Sequence, residues 1–263
     1  MTEGSPGFSP PADCGSEDDH GPREKLWEAV KKAPDLLHHG YVVFGGDIMG
    51  FKGSYNGLLV PKERIKGIEC PKVVAAGAQN FWTSAWEKAR GLNLPEPRTL
   101  VSVNSMTGRT EDQLHFHLTV LKKEVREQLD KLSASSLKID NWNNGRHILF
   151  ATDGKNDDTY VYRIAHVDNL DTNPFTLLDK YVAKRVDAKV GPYDDRFDQS
   201  LAIVKGPNGA GFYLIATQGQ PSQKTHGQPV HLPDLDLVDK TSGKRYFGTT
   251  TAEALIDRDW KPV

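Results

Sequence analysis

Two imidazoles two residues apart can divide the work of splitting a phosphoanhydride, and this chain carries such a pair in Gln113-Leu-His-Phe-His-Leu-Thr119. In an extended strand alternate side chains share a face. Gln113, His115, His117 and Thr119 are therefore expected on one face, with Leu114, Phe116, Leu118 and Val120 packed into a core behind them. A neutral imidazole attacks phosphorus when one ring nitrogen offers a lone pair and the other is fixed by a hydrogen bond. His115, central between Gln113 and His117, suits the nucleophile, and His117 suits an orienting partner.

The run Asn104-Ser-Met-Thr-Gly-Arg-Thr110 leads into this strand and reads as a phosphate cradle. Asn104, Ser105, Thr107, Arg109 and Thr110 supply donors. Gly108 lets backbone N–H groups approach an anion, and Arg109 offers a bidentate fork for oxygens that gain charge. Two other readings stay open on the residues alone. One is a polar turn before a strand whose histidines are merely satisfied. The other is a metal held by His115 and His117, which no nearby Cys, Asp or Glu completes. No cofactor or metal is therefore expected. His38, His39, His147, His166, His226 and His231 stand apart from any motif and read as ordinary histidines.

The elements that must position this strand follow from hydrophobic spacing. Helices are expected over 22–32 (Leu26, Trp27 and Val30 on one side), 79–90 (an aromatic stripe read as core), 122–132, and 174–185. The last has Asn173 as N-cap and Pro174 at its first position. Strands are expected at 41–44, 58–60, 100–103, 114–121, 147–152, 159–164, 200–204 and 212–216. The 41–60 pair is read as a hairpin, and its Gly-rich loop (45–57) lacks a P-loop ending, so it reads as a plain connection. The whole is α+β, an antiparallel sheet with flanking helices. Hairpins at 41–60 and 200–217 raise the prospect of a second, related C-terminal half. Domain limits are set at a flexible tail (1–22), a folded domain (23–218) and an extension wrapping the surface (219–263).

Composition bounds the partners. A net charge of −2, from 33 basic and 35 acidic residues, argues against a nucleic-acid binder. No run approaches the ~20 apolar residues of a membrane span, so no integral membrane segment is expected. Cys14 and Cys70 form no CxxC pair and read as free thiols, which with the absence of a signal-like N-terminus gives a cytoplasmic expectation. A homodimer is compatible with all of this.

At these residues the sequence resembles the histidine triad (HIT) superfamily, and within it the CDP-diacylglycerol pyrophosphatase family. The likeness is carried by Asn104–Thr110, by His115-Phe-His117, by Gly40–Val43, by Leu59–Ile65 with Gly67–Glu69 and Pro71, and by Pro174-Phe175 with the Leu201–Gln218 hairpin. It implies a HIT-like fold over roughly 38–220. It also implies a hydrolase that cleaves a nucleoside diphosphate derivative, whether a lipid or a soluble nucleotide-linked small molecule, and releases a mononucleotide. By resemblance His115 is the nucleophile forming a nucleotidyl-histidine, and His117 orients and polarises. Asn104, Arg109 and Thr110 contact phosphate, and Arg64 stands where many relatives carry another histidine. Gln113 replaces the first triad histidine; it can orient but cannot change charge. The family's N-terminal membrane anchor is not found in the sequence. A nucleotidyltransferase with the same intermediate, or a nucleotide-binding module with weakened catalysis, are the alternatives.

Overall fold

The computed structural model describes residues 13–34, 39–45, 57–106, 108–144, 148–152, 159–187, 191–194, 196, 199–218, 237–238, 245–246, 255–258 and 260. The proposed tail over 1–12, the interior of the 45–57 loop, Thr107, His38, His147, His226, His231 and most of the 219–263 extension lie outside the described residues.

An eight-stranded, wholly antiparallel sheet organises the molecule, in the order β1-β2-β4-β3-β9-β10-β6-β5. The strands are β1 (Tyr41–Phe44), β2 (Gly57–Pro61), β3 (Thr99–Val103), β4 (Phe116–Val120), β5 (Ile148–Thr152), β6 (Thr159–Val167), β9 (Gln199–Lys205) and β10 (Phe212–Gln218). A short ribbon of β7 (Lys184–Asp187) with β8 (Gly191–Asp194), and another of β11 (Leu237–Val238) with β12 (Arg245–Tyr246), stand outside it. Among the described residues four α-helices accompany them: α1 (Lys25–Lys32), α2 (Phe81–Gly91), α3 (Lys123–Leu129) and α4 (Pro174–Leu178).

Read from either edge toward the centre, both halves of the sheet run first, second, fourth, third strand in chain order. The chain order is also repeated: α1-β1-β2-α2-β3-β4, then α3-β5-β6-α4-β9-β10. The seam is the β3–β9 pair, with Val101 opposite Ile203. The strand order thus repeats, but the correspondence between hairpins differs from the expected one. The 41–61 hairpin answers to 148–167, and the 199–218 hairpin answers to 99–120. Spacing within single hairpins could not reveal this, because the repeat lives in the strand order.

Apolar alternation places the layers. Phe116, Leu118, Val120, Val101, Val103, Leu201, Ile203, Leu214 and Ala216 form one core with the α2 stripe (Phe81, Trp82, Ala85, Trp86) and α4's Phe175 and Leu178. On the opposite face, α1 lays Leu26, Trp27 and Val30 over Leu58 and Val60. There α3 lays Val125 and Leu129 over Tyr162, Ile164 and Tyr213. Leu114 joins the first core as expected, although regular pairing of β4 begins only at Phe116.

Three expectations need correction. Cys14 and Cys70 are not free thiols; they are joined as a disulfide across 56 residues, with Cα atoms 4.7 Å apart. No spacing motif marks a pair so far apart in sequence. Residues 13–22 are accordingly fastened to the domain, with Asp13 on Lys66 and Asp19 on Arg64. The 174–185 helix ends at Leu178, passes through a π-turn over Asp179–Ala183 and becomes β7. Phe175, Leu178 and Val182 keep one buried side through that turn, which is why the run reads as a single helix. Its N-cap is as expected: the Asn173 side chain accepts from Phe175 N at 3.0 Å. Near the chain's end, Leu255 and Ile256 are buried beside α3, where Ile256 bridges Leu121.

Candidate active site

His117 lies within β4, opposite Leu58 of β2 and Ser102 of β3, on the sheet face covered by α1 and α3. His115 immediately precedes the strand. The two rings meet edge to face with centroids 5.0 Å apart. His115 is 8% exposed, and its Nδ1 pairs with the Gln113 main-chain oxygen at 2.7 Å. A carbonyl only accepts, so Nδ1 carries the proton and Nε2 keeps the lone pair. Burial pushes the His115 pKa down to about 4, and the nearby Arg109 cation pushes the same way. Burial, with His115 beside it, pushes His117 down to about 3. Both rings are therefore neutral at pH 7.

Gln113 reaches neither histidine with its side chain. The amide Nε2 donates to the Pro61 and Glu63 carbonyls, both at 2.9 Å, and Oε1 accepts from Arg64 Nη1 at 3.2 Å. The orienting role expected of the first triad position is filled here by the Gln113 main-chain carbonyl.

The 104–110 turn closes largely on itself. Gly108 N and Arg109 N both donate to the Ser105 carbonyl at 3.1 Å, and Gly108 N also lies 3.1 Å from Ser105 Oγ. Those amides are satisfied within the loop instead of being offered outward as the sequence suggests. Arg109 is committed as well: Nη1 and Nη2 grip Glu69 at 2.7 and 2.5 Å, and Nε reaches Asp112 at 3.1 Å. Gly67 makes room for this pair, since a Cβ there would lie 2.1 Å from Arg109 Nη1. Arg64, 3% exposed, is held by Asp19 and Glu24 at 2.7 Å each and by the Asp112 carbonyl at 2.5 Å. Asn104 is half-buried at the end of β3, two residues beyond Ser102, and Thr110 is exposed.

The family model described as CDP-diacylglycerol pyrophosphatase matches residues 14–236. The chain belongs to the CDP-diacylglycerol pyrophosphatase family. Its members are nucleotide pyrophosphatases, so the chain is read as an enzyme of that class, and the family name itself points to a lipid-linked nucleotide. The match begins at the disulfide cysteine Cys14, takes in the strap of residues that reaches Arg64, and runs past β10.

One buried polar residue beside the histidine pair was not singled out in the sequence. Ser102 Oγ and His117 Nε2 are buried cross-strand neighbours, and neither has a hydrogen-bond partner among the described residues. The only signal for Ser102 was a polar residue inside an apolar strand. Its partner across the sheet becomes visible only once the register is known. Among the described residues no group of three His, Cys, Asp or Glu is placed to hold a metal. His166, read as ordinary, meets Tyr213 edge to face and the Ala210 carbonyl at 3.2 Å.

Proposed function

We propose that this chain hydrolyses CDP-diacylglycerol at its phosphoanhydride by way of a HIT-type nucleotidyl-histidine. His115 Nε2 attacks the phosphorus bearing cytidine. The P–O bond to the lipid phosphate breaks, and its electron pair leaves on phosphatidate. Water then attacks the same phosphorus, the P–N bond breaks, and CMP departs with His115 neutral again. The single observation carrying this reading is the His115 Nδ1–H···O=C bond to Gln113. It fixes the tautomer, turns Nε2 into the nucleophile, and stabilises the positive charge the ring acquires on phosphorylation.

The replacement of a histidine by Gln113 fits this chemistry. A departing phosphate monoester has a second pKa of about 6, so it leaves as an anion without a strong general acid. His117 Nε2 and Ser102 Oγ, unmatched among the described residues, are suited to receive a non-bridging phosphate oxygen or the incoming water. Asn104 and Thr110 are kept as phosphate contacts at the end of the cradle. Arg109 contributes its positive field from its paired position beside His115. A disulfide persists where thiols are not kept reduced, so we place the protein in an oxidising compartment.

The test is steady-state turnover of CDP-diacylglycerol with both products identified. Wild type should yield CMP and phosphatidate, and His115→Ala should lose turnover by several orders of magnitude. Full turnover by His115→Ala sinks the reading, and a product in which an alcohol has taken the nucleotidyl group makes the enzyme a transferase.

A further inference from the structure

We infer that residues 13–24 form a disulfide-anchored strap that positions the nucleophilic histidine, with Arg64 as the positioning residue that transmits it. The inference rests on the reading of His115 as the nucleophile. The carbonyl that fixes His115 belongs to Gln113, a residue on a non-helical stretch just before β4 begins. Such a carbonyl is aimed well only if its own residue is held. Here every polar side-chain atom of Gln113 is engaged, by Pro61, Glu63, Arg64 and the Ile65 amide.

Arg64 touches both residue 113 and the strap. Its Nη1 donates to the Asp112 carbonyl and to Gln113 Oε1. Its Nη2 donates to Asp19 and Glu24, both on the strap. The strap backbone lies directly on the guanidinium. Gly15 has φ of +81°, and a Cβ there would stand 2.4 Å from Arg64 Nε. Arg23 extends the hold: its carbonyl accepts from Asp112 N at 2.7 Å, and its side chain grips the Asp112 carboxylate at 2.8 and 2.9 Å. The far end is pinned by Cys14–Cys70, by Asp13 on Lys66, and by Lys66 N donating to the Cys14 carbonyl.

Two carboxylates on a guanidinium that is 3% exposed exceed what a simple tether needs. Their geometry leaves Nη1 free to face the 112–113 carbonyl and amide oxygen, which a lysine ammonium could not span at once. Cys70 directly follows Glu69, the carboxylate that holds Arg109. The disulfide thus fixes the strap beside the other arginine of the site too.

The test compares the oxidised enzyme with enzyme treated with a dithiol, which converts the protein disulfide to two thiols while closing its own disulfide. Cys14→Ser/Cys70→Ser, Gly15→Ala and Arg64→Lys are assayed in parallel. Each is read by kcat, KM, far-ultraviolet circular dichroism and the downfield NMR resonance of the hydrogen-bonded His115 Nδ1 proton. Opening the strap should lower kcat on the order of tenfold to a hundredfold, leave KM within about twofold, and weaken the Nδ1 resonance while the dichroism spectrum stays unchanged. Arg64→Lys should retain the fold but not the rate. An unchanged kcat with an intact Nδ1 resonance overturns the inference, as does a kcat that falls only in step with the dichroism. Failure of the underlying nucleophile shows separately, as turnover by His115→Ala in the oxidised enzyme.

Discussion

Ser102 is expected to set stability against function, because its buried hydroxyl has no partner among the described residues. An orphaned buried hydroxyl costs free energy until something binds it, so Ser102→Ala should hold or raise the melting temperature. The same change should lower kcat/KM for CDP-diacylglycerol by about tenfold, the equivalent of one ~1.4 kcal/mol hydrogen bond. A calorimetric melt beside a kinetic assay checks both halves. The histidines also set the pH response. With His115 pushed down to about 4, the acid limb of kcat/KM should fall near that value instead of near 6.5. For stability, the unfolded chain takes up protons on these rings near pH 6.5. The folded chain does so only near about 4 and about 3. Stability is therefore full above pH 6.5 and drops as pH falls toward 4, a trend that denaturant midpoints at successive pH values measure and that His117→Phe should flatten. At this scale the histidine pair was legible because strand alternation is fixed by backbone geometry. Ser102 and the buried pairs of Arg64 with Glu24 and Arg109 with Glu69 were not, since each depends on a partner at least 15 residues away by register or contact; the cradle closes within four residues, but by loop geometry that residue types do not fix.

At the scale of elements, the loop at 67–70 and the turn at 104–112 meet through Arg109 and Glu69. Gly67 is required there by close approach. Gly67→Ala should push the guanidinium off Glu69 and leave a buried carboxylate unpaired, costing roughly 3–5 kcal/mol. Chemical denaturation should show that loss, and a midpoint equal to wild type would mean the pair is dispensable. Helices α1, α2 and α3 were legible from apolar spacing, with ends shifted by at most three residues. The break after α4 was not, because Val182 keeps the helical spacing across the π-turn. The Cys14–Cys70 link was invisible for a different reason. An extended segment can return to any point of a domain, and spacing says nothing about which.

Across the whole molecule, the repeated α-β-β-α-β-β order makes β10 the counterpart of β4. The two are equal as scaffolds but not in chemistry. Phe212–Gln218 contains no histidine, whereas β4 and its approach hold His115 and His117. On the proposed mechanism one reacting centre per chain is therefore expected. The repeated strand order was not legible in the sequence, since it lies in the pairing of strands and not in a residue-level repeat. The most direct measurement is a rapid acid-free quench of the enzyme with CDP-diacylglycerol labelled at the cytidine phosphorus, followed by peptide mapping. The account predicts an acid-labile, base-stable nucleotidyl group on His115, approaching a single equivalent per chain. Label on another residue, or steady turnover with no label retained on the protein at any time, contradicts it.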